Sequence, residues 1–399
     1  MNMKKALIIA NMLFASATVF GMSEKDLKAK HNDLMASLKH SNQFVIQDKA
    51  RDVQNTLKDP ALASLVNMKD NSGSSFLDVA CANQINAFID FLLEHGADTS
   101  GKNLKLNDPL VSYAQRGYKN IVKYMVKHGG SDINEAFFGD TVLVTCIDDK
   151  NYEMVRCLVE LGVDLNKPNW LGEIPLILLI NQGQNDLVKY FVDNGAKVDA
   201  KNTHGNKPYL RPQNSCVGDT PLHVASRIGN MDLVKYFVDH NANLDLKNAA
   251  EKSPLYEAIK GNHTAVAEYL MERNANLNDT YFLGKTLLHL AVDKKNPEMV
   301  TSLIDKGVDV DAQDTSGITA LHMAIYNKSL DIVKILVERG HATLDIGMFE
   351  DVTPLRFAGG VGNVEIIRYL IDHGASLKAL EMWGDTETVE NSDYQPDEI

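Results

Sequence analysis

The side chains in this chain that could do chemistry are few, and their spacing argues against it. Asp148-Asp149 offers two adjacent carboxylates for general acid–base work. They fall where an exposed loop between two helices is expected, with no walls to shift their pKa values, so a solvated pair is the reading. The 12 His raise the question of a metal, but seven of them fall on fixed positions of the repeat described below. Cys81 and Cys146 sit at small core positions of first helices. Cys157 lies in the second helix of the same repeat as Cys146, which leaves a bridge between the two open; Cys216 is the thiol expected to be exposed. Gly359-Gly360-Val361-Gly362 is glycine-rich but follows no strand, and it reads as a turn between helices. No phosphate loop, HExxH or CxxC occurs. Asn262, Asn278 and Asn327 head glycosylation triplets, which matter only in a eukaryotic secretory pathway. The expectation is therefore no catalytic residue, no metal and no cofactor.

The elements that carry these residues are an internal repeat. From Thr220-Pro221-Leu222-His223, steps of 33 residues reach Ser253-Pro254-Leu255-Tyr256, Thr286-Leu287-Leu288-His289 and Thr319-Ala320-Leu321-His322. One extra residue leads to Thr353-Pro354-Leu355-Arg356. A step of 46 backwards gives Ile174-Pro175-Leu176-Ile177, and steps of 33 then give units at Thr141, Asp108 and Ser75. The third position is Leu in all nine units, so the period is real.

Thr or Ser at the first position can cap a helix, and Pro beside it fits the first helical turn. Later in each unit apolar pairs recur at helical spacing, as in Leu233-Val234 with Phe237-Val238. Twenty-one residues after the first position stands Gly96, Gly129, Gly162, Gly195, Asn241, Asn274, Gly307, Gly340 or Gly374, the residue types that end a helix in the left-handed conformation.

The T-P-L-H signature on a 33-residue period resembles the ankyrin repeat, over about residues 68–378. The resemblance implies an all-α solenoid of helix-turn-helix units with β-turn or hairpin tips. Gly two residues before the Thr is replaced by Leu106, Glu251 and Asp351 in three units, where turns of different shape are expected. The first four units lack the signature His and are expected to be less stable. A 13-residue insertion lies within about 203–217, on the turn side. Residues 22–67 hold helix-like stretches at Glu24 to Leu38 and Phe44 to Leu57, expected to form a helical N-terminal cap. Residues 379–399 hold seven acids and no Lys or Arg and read as an acidic tail.

Residues 1–21 have a different logic. Lys4 and Lys5 precede a short apolar run closed by small residues, the layout of a secretory signal peptide. The expected location is therefore secreted or periplasmic, with a mature N-terminus near Thr18 or Met22. A formal charge of −13 disfavours a nucleic-acid partner, and no apolar stretch after the N-terminus is long enough to span a membrane. The cap and tail are too short to house a separate catalytic domain.

The resemblance implies a partner-binding side made of turn tips and first helices. Its outward positions hold Phe137-Phe138, Trp170-Leu171, Phe282-Leu283 and Phe349, with Asp140, Asp148, Asp149 and Glu173 beside the first two groups. Lys252, Lys260, Lys285 and Lys294, with Asp293, occupy the same positions further along. These residues describe a binding surface for a protein partner, on a chain expected to be monomeric. The leading expectation is a non-enzymatic, exported interaction module, by analogy directed at a host by an intracellular bacterium. The alternative is a periplasmic protein that binds or protects a resident bacterial protein. A third reading is an enzyme whose site is not recognised.

Overall fold

Each Thr or Ser of the repeated tetrapeptide starts a helix by accepting the backbone N–H three residues on. The bonds are 3.2 Å at Ser75, 3.3 Å at Thr141, 3.4 Å at Thr220, 3.3 Å at Ser253 and 3.4 Å at Thr353. Thr286 and Thr319 make the same bond. Pro175, Pro221, Pro254 and Pro354 take the first helical position, where no N–H is needed.

The computed structural model describes residues 23–39, 46–83, 85–98, 110–127, 132–203 and 217–377. Residues 1–21, the 379–399 tail, nearly all of the insertion and Cys216 lie outside them. The chain divides into two units, Met1–Trp170 and Leu171–Ile399.

In the first unit, helices Glu24–Lys39 and Ile46–Leu57 and a 3-10 turn, Pro60–Asn67, precede the repeats. Leu27, Met35, Leu38, Val53 and Leu57 of the two helices are buried, and the ring of His31 meets Phe76 edge-on at 4.7 Å. Three helix pairs follow: Phe76–Ala82 with Asn86–Glu94, Leu110–Gln115 with Lys119–Lys127, and Val142–Asp148 with Tyr152–Glu160. A hairpin, β1 (Ala136–Phe137) with β2 (Asp140–Thr141), forms the tip before the third pair.

The second unit holds six pairs among the described residues. Their first helices are Pro175–Asn181, Pro221–Arg227, Pro254–Lys260, Leu287–Asp293, Ala320–Tyr326 and Pro354–Val361. A second hairpin, β3 (Thr280–Tyr281) with β4 (Lys285–Thr286), precedes Leu287. The Leu of the tetrapeptide is the centre of each pair. Leu77, Leu143, Leu176, Leu222, Leu255, Leu288, Leu321 and Leu355 are all buried, whereas Leu110 is half-buried. Burying one such side chain contributes roughly 1.5–3 kcal/mol.

The signature histidines tie neighbouring repeats together. Thr220 N–H donates to His223 Nδ1 at 3.2 Å, so the ring proton sits on Nε2, which donates to the Lys252 carbonyl of the next repeat at 2.9 Å. His289 reaches Ile318 O at 2.9 Å and His322 reaches Val352 O at 3.2 Å in the same way. Burial pushes all three rings down, His322 to about 4. In the first repeat Asp78 takes the capping half of this role, accepting Ser75 N–H at 2.7 Å.

Several expectations need correction. In repeat eight, Gly340 is not the left-handed residue: its φ is −83°, and His341 has φ 52° instead. The extra residue of the 34-residue step is taken up by a π-turn at Ile335–Arg339, which moves the helix end on by one. The tip of repeat six keeps its turn without glycine, because Glu251 adopts φ 57°, and Asp351 does likewise at 59°. Gly359 and Gly360 are not a turn; the helix runs through them to Val361 and ends at Gly362, φ 73°. Asp148 is the last residue of its helix and Asp149 its cap, so neither lies in a loop. Cys146 and Cys157 are both free and buried, with no bridge between them.

The insertion has a closed neck. Asn202 N–H donates to Asp219 O at 3.0 Å, and Gly218 N–H donates to Asn202 O at 2.8 Å. This is the pairing that Asp314 N–H makes with Ile318 O, at 2.9 Å, in a tip with no insertion.

Candidate partner-binding surface

The tip at β1–β2 is built on two left-handed residues. Phe138 has φ 54° and Gly139 φ 96°, as the two-residue I′ hairpin loop requires. Asn-Gly is the pair that adopts this loop without strain; a bulky aromatic in its first position is held there against its preference. Phe138 is 92% exposed and Phe137 44% exposed, and their rings meet edge-to-face at 4.4 Å.

Trp170 is placed differently from what its sequence position suggests. It is half-buried, its N–H donates to Asp140 Oδ1 at 2.9 Å, and its Cβ lies 2.9 Å from where a Cβ on Gly139 would sit. Trp170 therefore packs over the hairpin, and Asp140 orders its backbone. Asp148 and Asp149 are exposed at the end of the first helix, and Asp149 accepts Gln115 Nε2 at 2.9 Å. Within this unit the open apolar element is the Phe137-Phe138 pair, with Asp148 and Asp149 on the helix that follows the hairpin.

In the second unit, Leu171 is exposed and Glu173 half-buried. Phe282 is 66% and Leu283 46% exposed in the β3–β4 loop, where Leu283 again has φ 61° before Gly284 at 75°. Two apolar tips thus share one design, an outward side chain on a left-handed backbone. Spacing marked the positions but carried no sign of this conformation.

Three tips without hairpins use a residue that sequence reasoning passed over. Five residues before the Thr or Ser, Asp70, Asn248 and Asp314 each accept two backbone N–H groups through the side chain. For Asp314 these are Ser316 at 2.8 Å and Ile318 at 3.0 Å. For Asn248 they are Ala250 at 3.0 Å and Lys252 at 3.1 Å. Where that position is Ala136 or Tyr281, a strand pair forms instead. The signal was present as a recurrent Asn or Asp.

Beneath the tips of repeats five and six lies a buried ionic cluster. Arg227 donates from Nε to Glu257 Oε2 at 2.9 Å and from its amino group to Asp219, which also accepts Asn248 Nδ2 at 2.8 Å. Asp219 and Glu257 are buried, and Arg227 satisfies both. His95, His240 and His373 donate from Nδ1 to the carbonyl four residues back, each at 2.8 Å, and so cap helix ends. Burial pushes the Cys81 and Cys146 thiols up to about 12, which keeps them unreactive. Among the described residues no group of three or more His, Cys, Asp or Glu could hold a metal ion, and no helix is long and apolar enough to cross a membrane.

Capped helix pairs on a 33-residue period, presenting apolar tips, define an all-α repeat protein built for protein–protein interaction. The chain belongs to the ankyrin-repeat family: a model of three ankyrin repeats matches residues 78–169, 110–202, 204–281 and 283–381. It is 35% identical over 78 residues to the potassium channel AKT1 of Arabidopsis thaliana, covering 20% of this chain and 9% of the channel. It is 29% identical over 142 residues to the phosphocholine transferase AnkX of Legionella pneumophila, covering 35% of this chain and 14% of that protein. A putative ankyrin repeat protein of Rickettsia bellii is 34% identical over 74 residues, 18% of this chain and 44% of the relative. The chain thus spans a small part of the channel and the transferase it matches.

Proposed function

We propose that this chain is a non-enzymatic protein-binding module of nine ankyrin repeats that takes its partner on the turn tips. Phe137 and Phe138 anchor the partner in the first unit, with Asp148 and Asp149 attracting a basic or amphipathic segment. In the second unit, Leu171, Glu173, Phe282 and Leu283 offer a binding surface of their own, and Asp140 and Trp170 hold the first unit's tip in shape. The observation that carries this reading is Phe138, which is 92% exposed on a strained left-handed backbone. Such strain, of order 1–3 kcal/mol, persists where a site needs it. The match to the transferase covers too little of that enzyme to bring its chemistry here.

The layout of residues 1–21 supports export, and the Legionella and Rickettsia relatives support a bacterial setting. The leading role is therefore an exported, host-directed binding protein. A periplasmic role with a resident bacterial partner is the second reading, favoured if the tagged chain stays in the periplasm of its native host.

Phe138→Asn tests the site. Asn suits the left-handed position, so the variant gains about 1 kcal/mol of stability. The same change removes the anchor, and affinity for a partner captured with the mature chain falls at least tenfold. Unchanged affinity in the stabilised variant would retire the tip as a binding element. Intact-mass measurement on native protein, expected to begin near Thr18 or Met22, tests export.

A further inference from the structure

The second hairpin tip has a charge character opposite to the first, and its side-chain contacts join it into one surface. Lys252 Nζ lies 5.1 Å over the ring of Tyr256. Tyr256 meets Tyr281 edge-on at 5.0 Å, and Tyr281 pairs across the hairpin with Lys285. The loop of that hairpin carries Phe282 and Leu283 outward. Lys260 stands at the end of the helix that carries Tyr256, close enough for its charge to act on Lys252; burial first, and then Lys260, push the Lys252 ammonium down.

Among the described residues no carboxylate lies within ion-pair distance of Lys252, Lys260 or Lys285. The acids nearby are engaged elsewhere: Glu257 is taken by Arg227 at 2.9 Å and Asp293 faces Lys294 at 3.4 Å. Three cations thus share one tip of a chain whose net charge is −13. Lys252 and Lys260 repel one another in the unliganded state, and Leu283 at φ 61° adds backbone strain. Both features are relieved or used when carboxylates and an apolar group arrive together.

We infer that this tip binds an acidic peptide segment bearing an apolar side chain, with its carboxylates on Lys252, Lys260 and Lys285 and its apolar group on Phe282 and Leu283. The inference rests on the reading of the tips as the binding side and adds the chemistry of the occupant. An extended peptide suits the surface, because its same-face side chains recur about every 7 Å. A short segment also feels mainly charges within a Debye length of about 8 Å, that is, the lysines. A nucleic acid or an anionic membrane extends well past the patch and meets the surplus acid of the whole chain.

The test uses the full chain and a dye-labelled 14-residue peptide in which Glu and Leu or Phe take turns at every second position, with Ser between, so that both kinds of side chain share one face of the extended peptide; binding is read by fluorescence anisotropy. A Lys-for-Glu peptide, phosphatidylserine vesicles and a single-stranded DNA 20-mer are run beside it. The Glu peptide should bind, and Lys260→Glu with Lys285→Glu should weaken it at least tenfold and flatten its salt dependence. Leu283→Asn should weaken it several-fold without lowering the melting temperature, which keeps the test valid if the double variant folds poorly. Equal binding of the Glu peptide to both variants overturns the inference. So does loss of vesicle or DNA binding in the same variants, or sedimentation showing that they abolish self-association instead. If the Glu peptide ignores these variants while Phe138→Asn still releases the captured partner, the occupant is wrong and the tip reading stands. If neither changes any binding, both fail.

Discussion

Acidification should loosen the second unit through the histidines that join its repeats, and His322 gives the size of the effect. The ring is 1% exposed, so solvent screening does little to reduce the shift. Burial lowers it from the usual 6.5 to about 4, although its bond to Val352 O works the other way. A depressed pKa means that the unfolded chain takes up the proton first. The stability this neutral ring contributes is complete above pH 6.5 and is lost as pH falls towards 4. Between pH 7 and pH 5 the loss is about 2 kcal/mol, from 1.36 kcal/mol per pKa unit and the linkage relation. Urea unfolding of wild type and His322→Gln at both pH values measures it. Gln keeps a donor but cannot titrate, so the variant should be less stable at pH 7 by roughly 1 kcal/mol. It should then lose about 2 kcal/mol less than wild type on going to pH 5, so the two stabilities converge or cross. Parallel losses in the two proteins would show that His322 is not held neutral, and the hydrogen-bond assignment would be wrong.

Arg227→Met leaves Asp219 and Glu257 buried without their cation and should cost about 3–5 kcal/mol in chemical unfolding; a loss under 1 kcal/mol would mean that water already compensates these acids. Gly139→Ala places a Cβ 2.9 Å from that of Trp170 at φ 96°, so melting should fall by the equivalent of roughly 1–3 kcal/mol, with a shifted Trp emission. His341→Gly relieves a left-handed residue at φ 52° and should stabilise by about 1 kcal/mol, which calorimetry can read; no change would place the left-handed residue elsewhere.

The repeat was legible because its physical causes are local. A hydroxyl that caps, a proline at the first turn and a leucine that must be buried recur at fixed spacing, and among the described residues each is found where expected, save that Leu110 is half-buried. The helix end of repeat eight was not legible. One surplus residue can go into a turn or into the helix, and spacing does not say which; here Ile335–Arg339 takes it. The candidate surface was legible only as positions. Phe137, Phe138, Phe282 and Leu283 do point outward, but the left-handed backbone under Phe138 and Leu283 is a steric cost that composition does not reveal. Trp170 reads as an open aromatic until Gly139 is seen to give it a seat. Asp70, Asn248 and Asp314 were readable and were passed over, because a polar residue in a turn draws little notice.

The neck at Asn202, Gly218 and Asp219 makes this tip a port for grafting. Its two backbone bonds, 3.0 Å and 2.8 Å, close the turn as an uninterrupted tip is closed, so the two ends of the insertion meet at one point. Lengthening a flexible loop costs little, about 0.6 kcal/mol for each doubling. Evolution has placed 13 residues here, and a tag, a protease site or a small folded domain should be accommodated at the same point. The repeat array thus carries a place where new sequence can be added without renumbering the contacts on either side.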